Sequence, residues 1–147
     1  MKQLGMWQEV ISLEVPGAPA RILMADDNLD HVATTAMLLH TEGFTVRGFG
    51  SGKALLDQFG QYRPDVVILD LGMPGMTGYD VARALRDAKR WREFLLIALT
   101  GYGTMTDQFL TKMAGFDYHL TKPVDPHALT ALIRDYVSGR PQAANTP

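Results

Sequence analysis

Side chains suited to metal or phosphoryl chemistry stand at the ends of apolar segments in this 147-residue chain. The clearest is Asp70, which ends the apolar run at residues 66–69 and is followed by Gly72 and Pro74. The others that follow this pattern are Asp26, Asp27, Thr100 and Lys122. Carboxylates that lie together repel one another, and burying them unpaired is costly, so a shared site would need a cation. Oxygen ligands with open positions fit Mg²⁺ better than zinc or a calcium cage.

A hard cation beside a lysine and a threonine hydroxyl suits phosphoryl transfer. The metal and the ammonium would neutralise phosphoryl oxygens while a carboxylate attacks. No Walker-type glycine loop precedes a Lys-Ser or Lys-Thr pair, and the glycines after Asp70 do not match the dinucleotide fingerprint. Each residue taken singly has an ordinary alternative, such as Asp26 or Asp27 capping the next helix. Their joint occurrence at segment ends favours a common site.

The segments that must position these side chains alternate between strand and helix patterns. Strands are predicted at 21–25, 44–48, 65–70, 94–99 and 117–120, and helices beginning near 29, 51, 77, 104 and 126. Such alternation predicts an α/β fold, a single doubly wound five-stranded parallel sheet with helices on both faces. In a parallel sheet the carboxyl ends of the strands meet at one edge, where ligands bind.

Bulk composition excludes several classes of protein. The hydrophobic content of 46% and charged content of 20% are those of a globular protein, and the net charge of −2 provides no basic patch for nucleic acid or anionic membrane. The densest basic cluster, residues 89–92, is expected to be a solvated helix end. With no cysteines, disulfides and thiol catalysis are excluded. No signal peptide or membrane-spanning segment is recognisable, so a cytoplasmic location is the default expectation.

The two ends of the chain are expected to lie outside the domain at residues 20–138. Residues 1–19 form an N-terminal extension in which Met6, Trp7, Val10 and Ile11 have helix-like spacing, closed by a Pro-Gly-Ala-Pro stop. This extension is either frayed or docked, or a partner-binding or dimerising segment; the sequence does not choose between them. Residues 139–147 are predicted to be a disordered tail.

Four motifs together resemble the receiver domain family of response regulators over roughly residues 20–138. They are Met-Ala-Asp-Asp-Asn at 24–28, Ile-Leu-Asp-Leu-Gly-Met-Pro-Gly-Met-Thr-Gly at 68–78, Ala-Leu-Thr-Gly at 98–101 and Leu-Thr-Lys-Pro at 120–123. The amino-acid sequences of these motifs are most similar to those of receivers of hybrid sensor kinases. The resemblance implies a flavodoxin-like fold, like that of CheY, with strand order 2-1-3-4-5.

The resemblance also implies roles for the residues that match these motifs. Asp70 would be the phospho-acceptor and, with Asp27, a direct ligand of Mg²⁺. Asp26 would act through water, and the main-chain carbonyl of Gly72 would complete the ligands. Thr100 would be the switch hydroxyl, and Lys122 would pair with the phosphoryl group. The Lys122–Pro123 peptide bond would be cis.

Two positions depart from the family pattern. The switch aromatic, usually Tyr or Phe three places before the lysine, is replaced by His119, while Tyr118 should face the other side of the strand. A histidine there would either swing in and out, which would make the output pH-sensitive, or remain a static half-buried imidazole. A metal-dependent phosphatase would normally place a second acid two residues after the nucleophile, where this chain has Gly72.

A phosphorylation-controlled switch is therefore the expected function, rather than an enzyme with external substrates. At most the chain would catalyse its own phosphorylation and slow autodephosphorylation. A docking module that works without phosphorylation is the alternative, although such modules usually lose Asp27, Asp70 or Lys122. The implied partners are a histidine kinase or histidine phosphotransfer protein as phosphodonor and a downstream protein, without nucleic acid or membrane. The face that carries Phe109, Met113, His119 and the last helix is where that protein or a homodimer partner would bind.

Overall fold

A sheet covered by helices on both faces forms the centre of the computed structural model, which describes residues 9–87, 93–101 and 105–139. The strands are β1 (Glu9–Leu13), β2 (Arg21–Ala25), β3 (Thr45–Phe49), β4 (Val66–Asp70), β5 (Leu95–Thr100) and β6 (Tyr118–Thr121). The helices are α1 (Leu29–Thr41), α2 (Gly52–Tyr62), α3 (Gly78–Asp87), α4 (Met105–Met113) and α5 (Pro126–Gly139). These bounds confirm the alternating pattern.

The strand order is β1-β3-β2-β4-β5-β6. From β3 to β6 all neighbours are parallel, which confirms the α/β doubly wound sheet and the 2-1-3-4-5 order of its five parallel strands. Strand β4 lies at the centre and is buried along its whole length. Its side chains alternate between two apolar layers, one with α2 and α3 and the other with α1 and α5. A strand covered on both faces has no polar side, and this explains its continuous apolar run.

The expected count of five strands is wrong by one, because part of the N-terminal extension joins the sheet. Strand β1 runs antiparallel to β3, with Ile11 opposite Gly48 and Leu13 opposite Val46. The helix-like spacing of Val10 and Ile11 was therefore misleading, and Met6 and Trp7 lie outside the described residues. The open edge of β3 offers backbone partners, and the apolar side chains of β1 pack against the layer with α1 and α5. Tertiary pairing therefore overrides the local pattern.

Polar side chains fix the starts of the helices beside the sheet edge. Asn28, rather than Asp26 or Asp27, is the N-cap of α1, and its side chain accepts a hydrogen bond from the His31 amide at 3.1 Å. Ser51 caps α2, and its side chain accepts a hydrogen bond from the Ala54 amide at 3.2 Å. The cap at Asn28 leaves both preceding aspartates available for other contacts.

Two other predictions concern parts of the chain that the structure does not describe. The basic cluster is at residues 89–92, and the predicted tail lies almost wholly beyond residue 139, the last residue of α5. Within the described ranges, none of the helices has the length and apolar character needed to cross a membrane. The cytoplasmic location stays a prediction.

Candidate functional site

The carboxyl ends of four parallel strands carry the side chains that the sequence singled out. Asp26 follows β2, Asp70 ends β4, Thr100 ends β5 and Lys122 follows β6. The main chain holds these ends together, since the amide of Lys122 donates to the Thr100 carbonyl at 2.7 Å. The sheet topology therefore brings residues nearly a hundred positions apart to one edge.

Three carboxylates lie close together at this edge of the sheet. One oxygen from each of Asp26, Asp27 and Asp70 lies within 4.8 Å of the others. Asp26 is fully buried and Asp70 is 6% exposed, whereas Asp27 is open to solvent. Of the residues that the structure describes, these three are the group whose ligand atoms could hold a metal ion.

The ammonium of Lys122 bridges two of these carboxylates. Its Nζ lies 3.2 Å from Asp26 Oδ2 and 3.2 Å from Asp70 Oδ1. One ammonium offsets one of the three negative charges, and the remainder suits a divalent cation bound through oxygen. The donor set therefore fits Mg²⁺.

Asp26 is held by further donors. The Asn28 amide donates to Oδ1 at 3.0 Å, and the Nδ1 atom of His31 lies 2.5 Å from Oδ2. His31 was missed by the sequence reasoning. The signal that could have found it is its place in the first turn of α1, directly after the paired aspartates.

The pKa values of the two buried carboxyl groups, Asp26 and Asp70, are shifted in opposite directions. Burial raises the pKa of Asp26, but the hydrogen bonds from Asn28 and His31 and the charge of Lys122 outweigh it, so the pKa lies below its usual value. For Asp70, burial and the neighbouring charge of Asp26 outweigh Lys122 and raise the pKa. The pKa of Lys122 is also raised, because the two carboxylates outweigh the effect of burial. Asp26 is thus the more acidic member of the pair, and Asp70 is the more basic.

The loop after Asp70 returns closely to the end of β4. The Gly72 amide lies 3.4 Å from Asp70 Oδ1, and Gly72 has open space where a side chain would be. At Gly78, a Cβ atom would lie only 2.6 Å from the Asp70 carbonyl oxygen. Thr77 and Asp80 fix this approach by exchanging side-chain to main-chain hydrogen bonds of 3.0 and 3.2 Å, a capping box at the start of α3.

The remaining predicted residues lie on β5, β6 and the following loop. Thr100 is buried at the end of β5. His119 is half-buried, and neither of its ring nitrogens has a hydrogen-bond partner within the described ranges. The Lys122–Pro123 peptide bond is cis. Tyr118, the neighbour of His119 on β6, is 48% exposed.

This arrangement can bind an oxygen-liganded cation beside a buried carboxylate with raised basicity. Comparison with protein families gives a match to the response regulator receiver domain over residues 22–134. The chain belongs to the response-regulator receiver family. It is accordingly a receiver domain of two-component signalling.

Relatives and solved structures agree with this membership. The DNA-binding response regulator MtrA of Mycobacterium tuberculosis is 35% identical over 78% of this chain, which spans about half, 49%, of that relative. An uncharacterized 14.6 kDa protein of Leptolyngbya boryana is 31% identical over 84% of this chain and 94% of its own length. The chemotaxis protein CheY4 of Vibrio cholerae superposes with a TM-score of 0.75 at 26% identity, covering 80% of this chain and 98% of that one.

Proposed function

We propose that the chain is a phospho-accepting switch of a two-component phosphorelay, with Asp70 as the acceptor. The observation that carries this proposal is the Lys122 bridge between Asp26 and Asp70 inside the carboxylate cluster. The bridge places a cationic group beside a nearly buried carboxylate that remains reachable from the sheet edge. A phosphoryl group on Asp70 would meet this ammonium directly.

The reaction is a transfer from a phosphohistidine of a histidine kinase or histidine phosphotransfer protein. A carboxylate oxygen of Asp70 forms a bond to phosphorus while the nitrogen–phosphorus bond of the donor breaks. The leaving imidazole nitrogen takes the electron pair, and the product is an acyl phosphate on Asp70. Lys122 offsets the charge that gathers on the phosphoryl oxygens.

Asp26, Asp27, Asp70 and the Gly72 carbonyl are the groups that would hold Mg²⁺. When bound, Mg²⁺ would supply charge neutralisation of the phosphoryl oxygens and of the carboxylate cluster. Asp27 is exposed and therefore accessible to a hydrated ion, whereas buried Asp26 is fixed by its hydrogen bonds. The Gly72 role rests on the family resemblance.

The effect of phosphorylation would be transmitted through β5 and β6 to an exposed apolar face on α4. Thr100 would turn toward the phosphoryl group, and His119 would respond beside it. His119 borders a cleft of about 340 Å³ between α4 and β6. The exposed apolar side chains on α4 and β6 are Met105, Phe109, Leu110, Met113 and Tyr118, of which Tyr118 lines this cleft. A downstream protein, or a second copy of the chain, would bind there; large exposed apolar patches mark interaction sites.

The chain would act as a switch rather than turn over external phosphoesters. Gly72 supplies no second acid, although its surroundings leave room for a side chain. The receiver domain would cover residues 20–138, to which β1 contributes an additional edge strand. MtrA is named a DNA-binding response regulator, and no DNA-binding role is proposed for this chain.

The test is the intact mass of the protein after incubation with a small phosphodonor, with and without Mg²⁺. We expect one phosphoryl adduct that requires Mg²⁺, that Asp70→Asn abolishes and that Asp65→Asn retains. Asp65 is a matched control because it is a buried aspartate just before the opposite end of β4, where its carboxylate accepts from the Arg21 amide at 2.8 Å. An adduct that survives Asp70→Asn contradicts the proposal. Turnover of an added phosphoester favours a phosphatase, and loss of both adduct and Mg²⁺ binding favours a docking module.

A further inference from the structure

The side chain of His31 contacts the carboxylate cluster, and the proposed reaction assigns it no role. It lies in the first turn of α1, and its backbone is fixed because its amide donates to the side chain of the N-cap Asn28 at 3.1 Å. Its ring nitrogen Nδ1 contacts Asp26 Oδ2 at 2.5 Å. Backbone and ring are thus both anchored, so the imidazole has one defined position against Asp26.

Asp26 Oδ2 accepts from two donors, Lys122 and His31, which differ in their other contacts. Lys122 contacts this oxygen at 3.2 Å but contacts Asp70 at the same distance. His31 contacts only the Asp26 carboxylate within this cluster. When Lys122 turns to a phosphoryl group on Asp70, Asp26 loses an ammonium contact while its carboxylate remains fully buried. The Asn28 amide still donates to Oδ1, but without His31 the buried Oδ2 atom would have no hydrogen-bond partner among the described residues. A buried carboxylate oxygen without a partner is costly, so a donor to Oδ2 must remain.

We infer that His31 is a positioning residue for the metal site, which holds the Asp26 carboxylate in place and keeps its Oδ2 atom hydrogen-bonded when Lys122 engages the phosphoryl group. This inference rests on the proposed function. Donors behind a ligating carboxylate orient it, and their removal commonly weakens metal binding by about 10- to 100-fold. Because Asp26 would act through water, we expect a weakening near the lower limit, about tenfold.

Variants of similar shape separate the hydrogen bond from the volume of the side chain. His31→Asn places an N–H group the same number of bonds from the backbone as Nδ1, whereas His31→Leu has similar branching and no donor. Leucine also favours a helix, so the fold of α1 should be retained. His40→Leu is the matched control, since His40 lies in the last turn of the same helix and contacts the Glu14 carbonyl oxygen at 3.3 Å.

The measurement is the affinity for Mg²⁺ alone, by calorimetry of the unphosphorylated full-length chain, with thermal unfolding recorded in parallel. We expect His31→Leu to bind Mg²⁺ about tenfold more weakly, His31→Asn to recover most of the affinity, and His40→Leu to match the wild type. A merely structural role would lower thermal stability in both His31 variants without this split in affinity.

Three results would overturn the inference. Equal Mg²⁺ affinity in the wild type and all variants would mean that only the His31 role is wrong. Tighter binding in His31→Leu would mean that His31 competes with the metal instead of orienting its ligand. No Mg²⁺ binding by the wild type would overturn the proposed metal site together with this inference.

Discussion

Replacing Gly78 with alanine tests how closely α3 must approach the phospho-acceptor strand. The added Cβ would lie 2.6 Å from the Asp70 carbonyl oxygen and 3.0 Å from the Leu71 Cα atom. Both are backbone atoms, which cannot rotate away as a flexible side chain could. Either α3 or the end of β4 must therefore shift.

Two effects of opposite sign determine the stability of Gly78→Ala. Alanine in place of glycine favours a helix by at most about 1 kcal/mol, and less at a first helical position. Overpacking a filled site costs about 1–3 kcal/mol. We expect the clash to win, with a net loss of about 1–2 kcal/mol in the free energy of unfolding by urea.

Gly139→Ala is the matched control for this substitution. Gly139 is also a helical glycine, at the end of α5, and has open space where a Cβ would be. We expect its free energy of unfolding to be unchanged or slightly raised. If Gly78→Ala is as stable as the wild type or more stable, the close approach of α3 to Asp70 is not a constraint, and the reasoning is refuted.

Three further predictions concern buried polar groups and the edge of the sheet. The pKa of Asp70 is raised above its ordinary 3.8, chiefly by burial, so the ionised carboxylate destabilises the folded state above that pH. In Mg²⁺-free buffer at pH 7, Asp70→Asn should therefore have a higher urea midpoint than the wild type. This difference in midpoint should vanish below about pH 4. An unchanged or lower midpoint at pH 7 would contradict this. Tyr62→Phe should leave the free energy of unfolding unchanged or higher, since the hydroxyl is buried without a hydrogen-bond partner in the described part of the chain. In an absorbance titration the variant should lack the tyrosine whose pKa is raised to about 12. A decrease in the free energy of unfolding of more than about 1 kcal/mol would reveal a missed hydrogen bond. Deleting residues 1–14 should lower the melting temperature by removing the apolar side chains of β1, yet preserve Mg²⁺-dependent phosphorylation; loss of phosphorylation in a folded variant would place β1 within the site.

Side chains that lie on regular elements were predictable from the sequence, because strand ends in a parallel sheet share one edge. Asp26, Asp70 and Thr100 stand at the ends of apolar runs and Lys122 follows the short strand β6, so their convergence followed from the parallel topology. Strand β1 was not predictable, because its pairing depends on the open edge of β3, more than thirty residues away.

His31 shows a second kind of limit. Its role depends on the N-cap at Asn28, which sets the direction of the first turn of α1. Since Asp26 and Asp27 were equally plausible caps, the sequence did not determine which side chain would face Asp26. The ring nitrogens of half-buried His119 are a similar case, because their lack of hydrogen-bond partners among the described residues becomes visible only in three dimensions.

The most direct test of the central claim is to locate the phosphoryl group. The protein is phosphorylated with a small phosphodonor and Mg²⁺, then reduced with borohydride, which converts an aspartyl phosphate to homoserine, and its peptides are mapped by mass spectrometry. We expect homoserine at Asp70 alone, and none when Mg²⁺ is omitted. Homoserine at Asp26 or Asp27, or a phosphate retained on a histidine, would contradict it.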